Sequence, residues 1–309
     1  MILLKIAIIG STMIDVVSYV DKSPEYGSTV TAKGFHIACG GKGANQAVTA
    51  GRLGADVLMI SALSDDLFGI TARENFRRNN IDTKHIYEIN GVPNGTVMII
   101  VEQSGQYRSV FYRGANDLLM PKHILQAADD LKKCGLIVVQ LEIPLETVYA
   151  AIDFANENKI PVILNPAPMN ENFSVDVACK CDFVVPNEVE LKLLTGMPVD
   201  TLENIRAAAK KLFSRGLKNL IVTMGERGSM WLADGVEEFV PTLKVNAVDS
   251  TGAGDAYIGC FVDTYAKTGD VIKSMQRASK YAALSVTKKG TQDSYLTEDE
   301  FEKCLATLS

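Results

Sequence analysis

Long apolar runs are missing from this 309-residue sequence, and with them most of what would send it to a membrane, a nucleic acid or a disulfide-held scaffold. No stretch approaches the roughly 20 apolar residues that a bilayer-spanning helix needs, so no membrane partner is expected. The opening Met1 to Gly10 is apolar, but it is short, contains Lys5 and meets Gly10-Ser11 rather than a cleavage-like site. It reads as a buried first strand and not as a signal peptide. Basic residues are not in excess: Lys+Arg 31 against Asp+Glu 37 gives a formal charge of −6, which argues against a broad surface for nucleic-acid backbones. The six cysteines (Cys39, Cys134, Cys179, Cys181, Cys260, Cys304) show neither metal-ligand spacing nor a disulfide framework, so a reducing cytoplasm is the expected setting. The three histidines, His36, His85 and His123, lie far apart and outside the glycine-rich motifs, which disfavours a zinc-type cluster.

What the sequence does have is regular alternation. Apolar residues make up 47%, enough for an ample core at this length. Runs of strand length recur at Ile6 to Ile9, Val57 to Ile60, Leu136 to Val139, Val162 to Leu164, Phe183 to Val185 and Leu220 to Thr223. Helical spacing appears at Ala44 to Leu53, Phe68 to Asn79, Leu145 to Asn158, Asn187 to Leu194, Leu202 to Arg215, Ala256 to Ala266, Val271 to Val286 and Thr297 to Thr307. Strands joined by helices pair in parallel and need helices on both faces, so ligands are expected beyond the strands' C-terminal edge. The chain therefore reads as one α/β domain over residues 1–309 with a mostly parallel central sheet. Two regions break the pattern, Val16 to His36 and Thr96 to Tyr112 with its Ser104-Gly105 turn, and both read as extended. They are expected to form a small antiparallel sheet over the site, a lid at residues 16–36 and 96–112 whose outer face joins two chains as a homodimer. Ordinary surface hairpins are the alternative.

Two glycine-rich turns lead into helices. In Gly40-Gly41-Lys42-Gly43-Ala44-Asn45 the glycines let the backbone approach a ligand, and Asn45 offers both a donor and an acceptor suited to sugar hydroxyls. This is not a P-loop, and Gln46 stands where a dinucleotide fingerprint needs glycine. In Asp249-Ser250-Thr251-Gly252-Ala253-Gly254-Asp255, helix-starting amides free of bulky side chains can close around a phosphate. Asp255 then stands where it can take a proton from an attacking hydroxyl. Either turn alone also reads as a plain strand-to-helix connection. In Pro186-Asn187-Glu188-Val189-Glu190, Asn187 and Glu190 have capping-box spacing, while Glu190 also suits the waters of a phosphate-bound Mg²⁺.

Together with Asn165-Pro166-Ala167-Pro168 and Thr223-Met224-Gly225-Glu226-Arg227-Gly228, these motifs resemble the ribokinase family, in order and over essentially the whole chain. The resemblance implies a three-layer αβα fold and ATP-dependent phosphorylation of a pentose 5-hydroxyl. It makes Asp255 the general base and the amides of Gly252, Ala253 and Gly254 the anion hole. It places Asp15, Gly41, Lys42, Gly43, Asn45 and Glu142 around the sugar. Asn187, Thr223, Gly225, Gly228 and Gly254 would line the nucleotide site, with Ser279 near the adenine. Glu190 would support Mg²⁺ through water. A K⁺ site would be drawn from Asp249, Thr251, Ser285, Lys288, Gly290 and Ser294, several of them through main-chain carbonyls.

One position departs from the family pattern. Where the early strand of the family ends in Asn-x-Asp, this chain has Met13-Ile14-Asp15. Alternation puts Met13 and Asp15 on one side of an extended segment, so a thioether replaces an amide toward the sugar. Methionine cannot satisfy a hydroxyl but packs against a methylene, such as carbon 2 of 2-deoxy-D-ribose. The stretches Gln140-Leu141-Glu142, Ala178 to Phe183 and Asn246 to Asp249 likewise resemble a deoxyribose-phosphorylating branch of the family. D-ribose, a nucleoside or another furanose remain alternative acceptors, and Met13 as mere core filling remains an alternative too. A sugar-binding regulator without turnover is the non-enzymatic alternative, disfavoured by a base set beside an anion-binding turn.

Overall fold

The computed structural model describes residues 4–308, so Met1 to Leu3 of the apolar opening lie outside the described residues. In chain order the strands are β1 (Ile6–Ile9), β2 (Met13–Val20), β3 (Gly34–Gly40), β4 (Val57–Ser64), β5 (Asp82–Ile89), β6 (Gly95–Glu102), β7 (Tyr107–Tyr112), β8 (Leu136–Val139), β9 (Val162–Leu164), β10 (Phe183–Val184), β11 (Asn219–Thr223), β12 (Ser229–Ala233) and β13 (Val236–Val240). Nine of these form one sheet in the order β13-β12-β11-β10-β9-β8-β1-β4-β5. It is parallel throughout except at β12 and β13, which fold back as hairpins on one edge.

The near-continuous apolar runs of this sheet follow from burial on both faces. Along β1, Ala7 and Ile9 belong to one core while Ile6 and Ile8 belong to the other. In the same way β8 sends Ile137 and Val139 to one side and Leu136 and Val138 to the other. Helices Leu145–Glu157 and Leu202–Phe213 cover the first core; Lys42–Arg52, Ala253–Thr268 and Val271–Ser285 cover the second. Helices Lys42–Arg52 and Ala253–Thr268 meet closely at Gly259, where a Cβ would run into the Thr49 side chain and come within 2.7 Å of the Gln46 carbonyl. That contact carries Asn45 and Gln46 to the start of the second helix, where Asp255 lies.

The remaining strands form a separate sheet in the order β3-β2-β6-β7. The sheet is mixed rather than antiparallel as expected, because its central pair, β2 and β6, runs parallel from Met13↔Gly95 to Val20↔Glu102. Physically, β6 is reached from β2 only through the body of the protein, by way of β4, helix Leu67–Arg78 and β5, and a crossover of that length delivers a parallel neighbour. The strands also begin earlier and end later than expected, at Met13 and Gly40, with no strand over 21–33. Met13 and Asp15 thus belong to this second sheet.

Among the described residues no helix is long and apolar enough to cross a membrane. All six cysteines are free, and burial pushes the thiol of Cys134 up to about 11.

Candidate active site

The polar residues that follow the central strands share one edge. Ser11 follows β1, Gln140 and Glu142 follow β8, Asn165 follows β9, and Asn187 follows β10 and bridges to Thr223 at the end of β11. A parallel sheet delivers all of these C-terminal ends to the same side, which is where the sequence pattern predicts a ligand. A cleft of about 660 Å³ opens there, with Lys42, Asn165, Glu190 and Asp255 at one part and Thr223, Gly225, Ser279 and Val286 at another.

Asp255 is 5% exposed, in the first turn of helix Ala253–Thr268. Both of its oxygens accept amide hydrogens: Asn45 Nδ2 donates to Oδ2 at 2.9 Å and Gln46 Nε2 donates to Oδ1 at 3.0 Å. Gln46 is itself fixed, accepting from Gln140 Nε2 at 2.7 Å and reaching Asn165 Oδ1 at 3.3 Å. A buried carboxylate held on both oxygens is immobile, yet each oxygen keeps a lone pair with which to accept a proton.

The turn before it is built for approach. Gly252 has φ 77°, and a Cβ there would collide with Thr291 and with Tyr295 Oη, so glycine is required twice over. Tyr295 Oη donates to the Gly252 carbonyl at 2.9 Å and braces the turn from behind. A side chain at Gly254 would meet no protein atom and would project into open space. The first amides of an α-helix have no carbonyl one turn back, so they are free for an anion. The Ala253 amide is the exception, sharing its hydrogen with the Ser250 carbonyl at 3.2 Å.

At the start of helix Lys42–Arg52, Gly41 is the cap with φ 90°, a conformation open to glycine. Glu142 accepts from the Lys42 amide at 2.9 Å and from Ser11 Oγ at 2.5 Å, and burial pushes its carboxyl above the usual range. Burial opposes the charge on Lys42, but the carboxylates of Asp255, Glu142 and Glu190 outweigh it and hold the ammonium more basic than usual. Burial, and then the neighbouring charges of Glu142 and Asp255, push Asp15 up to about 6. Gly43 has a packing reason of its own, since a Cβ there would strike the backbone of Gly10 at 2.7 Å. Met13 is 1% exposed, wedged against Gly95, with Asn116 Nδ2 3.4 Å from its sulfur.

After β10, Asn187 and Glu190 form the expected capping box, Asn187 Oδ1 accepting from Glu190 N at 2.8 Å and Glu190 Oε2 accepting from Asn187 N at 2.9 Å. One carboxylate oxygen of Glu190 is thereby committed to the helix and the other is left for the cleft it lines. Gly228 has φ 90° and packs against the Val240 carbonyl, which shapes the loop after β11. Ser279 is buried, with Ser229 Oγ 3.5 Å from its hydroxyl, and it faces the cleft near Ala282 and Ala283. Of the residues expected around K⁺, Asp249 accepts from Thr251 N and Gly290 N, each at 3.0 Å, while Ser294 Oγ donates to the carbonyl of Thr291, the neighbour of Gly290. Burial would raise the Asp249 carboxyl, but these two amides outweigh it and keep it below the usual range. Among the described residues no group of three or more His, Cys, Asp or Glu could hold a metal.

Sequence reasoning missed Gln46, Asn116 and Gln292 as parts of the site. Gln46 was noticed only as a glycine that is not there, although its place beside Asn45 on a glycine-led helix was a usable signal. Asn116 and Gln292 lie in short 3₁₀ turns far along the chain, and only the fold brings them in.

Comparisons with known proteins bear on this geometry. Residues 3–298 match the model of the pfkB family carbohydrate kinases. The chain is 48% identical over 301 residues to a deoxyribokinase of Salmonella typhi, covering 97% of this chain and 98% of that one. It is 35% identical over 302 residues to a ribokinase of Schizosaccharomyces pombe, covering 94% and 95%. Among solved structures it resembles the Arabidopsis thaliana ribokinase complexed with ribose and ATP, with a TM-score of 0.91 at 25% identity, covering 98% and 99%.

Proposed function

Because the chain belongs to the pfkB family of carbohydrate kinases, we propose that it transfers the terminal phosphoryl group of ATP to the 5-hydroxyl of 2-deoxy-D-ribose. The observation that carries this reading is Asp255, a buried carboxylate fixed by two amides at the opening of a glycine-led helix, on the wall of a cleft of about 660 Å³. Phosphoryl transfer asks chiefly for alignment and for neutralisation of the oxygens of the group in flight. In this reading Asp255 takes the hydroxyl proton as the oxygen attacks phosphorus, while the amides of Gly252 and Gly254 with the shared amide of Ala253 receive the transferring group. Lys42 supplies positive charge beside it. Asp15, Gly41, Asn45 and Glu142 position the sugar, with Gly43 bringing the helix close enough for them to do so. Asn187, Thr223, Gly225 and Gly228 line the phosphate and ribose part of ATP, and Ser279 lies at the base.

Mg²⁺ fits Glu190, whose one uncommitted oxygen suits a water-mediated contact and not a direct cage; when bound, the ion neutralises phosphate charge. K⁺ fits the loop of Asp249, Thr251, Ser285, Lys288, Gly290 and Ser294, where carbonyls and one carboxylate meet. The β3-β2-β6-β7 sheet acts as a lid over the sugar. Its face opposite Asp15 carries exposed Phe35, Ile37, Met98 and Val110, and this apolar surface suits pairing of two lids in a homodimer. A solution mass near that of the 33.5 kDa chain alone counts against the dimer.

The test is a coupled ADP-release assay over 2-deoxyribose, ribose and nucleosides, with and without K⁺. Deoxyribose is expected to give the highest kcat/KM, ribose a lower one, and K⁺ to raise the rate. Absence of sugar-dependent ADP release would reject the kinase reading in favour of a binding protein.

The raised carboxyl of Asp15 gives a pH signature. If its carboxylate accepts hydrogen bonds from the sugar, protonation removes that acceptor as the pH falls through about 6. Sugar kcat/KM is then expected to drop about tenfold per pH unit below that point, with the ATP KM little changed. Because this folded-state value lies above the ordinary 3.8, protonation of Asp15 by itself adds stability to the unliganded fold as the pH falls, and a thermal midpoint measured at each pH separates the lost activity from unfolding. Asp15→Asn should erase the step, and an Asp15→Asn profile identical in shape to the parent's would assign it to another group.

A further inference from the structure

We propose that Gln292 is a positioning residue for phosphoryl transfer, the central link of a directed chain of side-chain amides that runs from Arg52 to Asp255. The chain is continuous. Arg52 Nε donates to Asn79 Oδ1 at 2.7 Å, and Asn79 Nδ2 donates to Asn75 Oδ1 at 3.2 Å. Asn75 Nδ2 donates to Gln292 Oε1 at 2.7 Å, Gln292 Nε2 donates to Asn45 Oδ1 at 2.9 Å, and Asn45 Nδ2 donates to Asp255 Oδ2 at 2.9 Å. Gln292 is 3% exposed and Asn45 6% exposed, so no bulk solvent competes for the inner links.

The direction of this chain is fixed by its ends. A guanidinium only donates and a carboxylate only accepts, so every amide between them has one orientation that satisfies both neighbours. Turning any one of them would set donor against donor and acceptor against acceptor. Aligned links in a low-dielectric interior also polarise one another, so the positive end at Arg52 strengthens the last bond onto Asp255. Asn45 gains most from this. Its oxygen is held by Gln292 while its nitrogen is aimed at the base; without Gln292 one of the two bonds that fix the carboxamide is lost and its hydrogen bond to the base is held less rigidly.

Arg52 also grips the backbone beside Gln292. Its Nη1 donates to the carbonyls of Gln292 and Tyr295, each at 2.7 Å, and Tyr295 in turn braces Gly252. The next residue, Asp293, pairs with His36 of β3 at 2.9 Å. One short turn therefore touches the base's partner, the phosphate-facing turn and the second sheet.

This inference rests on the kinase reading, and the experiment separates the two. The parent enzyme and the variants Gln292→Leu, Gln292→Glu and Asn75→Ala are compared in steady-state kinetics over pH. Gln292→Leu is expected to lower kcat roughly tenfold, the scale of one lost hydrogen bond, with the ATP KM unchanged. Gln292→Glu has no hydrogen for Asn45 while ionised but regains one when protonated, so its rate relative to the parent should rise as the pH falls. Thermal midpoints of the same variant over the same pH range separate this from a fold relieved of a buried charge, which would raise stability and rate together; the kcat trend is expected in enzyme that is fully folded throughout. Asn75 is half-buried on helix Leu67–Arg78, where alanine suits the helix, and Asn75→Ala should show a smaller loss in kcat. A Gln292→Leu enzyme with parental kcat overturns the proposal, as does a Gln292→Glu to parent ratio that is flat with pH. If the Gln292 variants do not fold, an Asn75→Ala enzyme with parental kcat overturns it. A parent enzyme that turns over no pentose rejects the kinase reading itself.

Discussion

Asp255→Asn is expected to lower kcat by on the order of 10²–10⁴-fold, the usual worth of a positioned general base, while ATP still binds. The substitution keeps the volume of the side chain and removes its capacity to accept the hydroxyl proton. It also has a local consequence that the geometry makes explicit. Both carboxylate oxygens accept from amides, Asn45 on one side and Gln46 on the other, so the new NH₂ group must face a donor on one of those sides. One of the two amides then turns, and sugar affinity should weaken modestly if it is Asn45. Asp255→Ala removes the base without that conflict. Similar kcat losses in the two variants, with a better sugar KM in Asp255→Ala, would separate the proton-accepting role from the steric one. Turnover near the parental rate in either variant would remove Asp255 from the chemistry.

How far the site was legible depends on whether its residues are neighbours in the chain. The turn Gly252 to Asp255 and the turn Gly40 to Asn45 are local: glycines followed by a helix mark where backbone can approach a ligand, and both lie where expected. The capping box of Asn187 and Glu190 is a four-residue pattern and formed as read. The six inner strands of the central sheet were legible because they are buried on both faces and so appear as apolar runs, whereas β5, β12 and β13 at its edges are partly exposed and were missed. The second sheet was legible as extended segments but not in its pairing, since the parallel register of β2 with β6 depends on a crossover through the body and not on either strand's own residues. Gln292 could not be found from sequence at all. A lone glutamine in a polar loop carries no pattern, and its role appears only when helix Lys42–Arg52 and the 290–295 segment are brought side by side.

Met13→Asn is expected to move the ratio of kcat/KM for ribose over deoxyribose upward by roughly ten- to a hundredfold, the range over which an apolar pocket discriminates against a single added hydroxyl. The surroundings explain why one residue can do this. Asn116 is fully buried, accepts from the Thr12 amide at 2.8 Å, and donates to the Thr12 and Arg113 carbonyls at 3.0 and 2.9 Å. Its remaining contact is the Met13 sulfur, a weak acceptor that asks little of it. Both hydrogens of Asn116 Nδ2 are already given to carbonyls, so an asparagine at position 13 could at most share one of them through its carbonyl oxygen, and its own NH₂ group would turn away from Asn116 to avoid setting donor against donor. Met13 lies on the same side of β2 as Asp15, in register with Gly95 and Gly40, so in this reading that NH₂ group points toward the sugar. It would find a partner in a 2-hydroxyl and none in a methylene, and a buried donor left unpaired is costly. The gain for ribose should therefore come with a loss for deoxyribose, seen mainly in KM. A Met13→Leu control keeps the pocket apolar and should leave the preference in place. If Met13→Asn leaves the ratio unmoved while Asp255→Asn abolishes turnover, the transfer machinery stands and the choice of sugar must be made elsewhere, most simply by the lid residues facing Asp15.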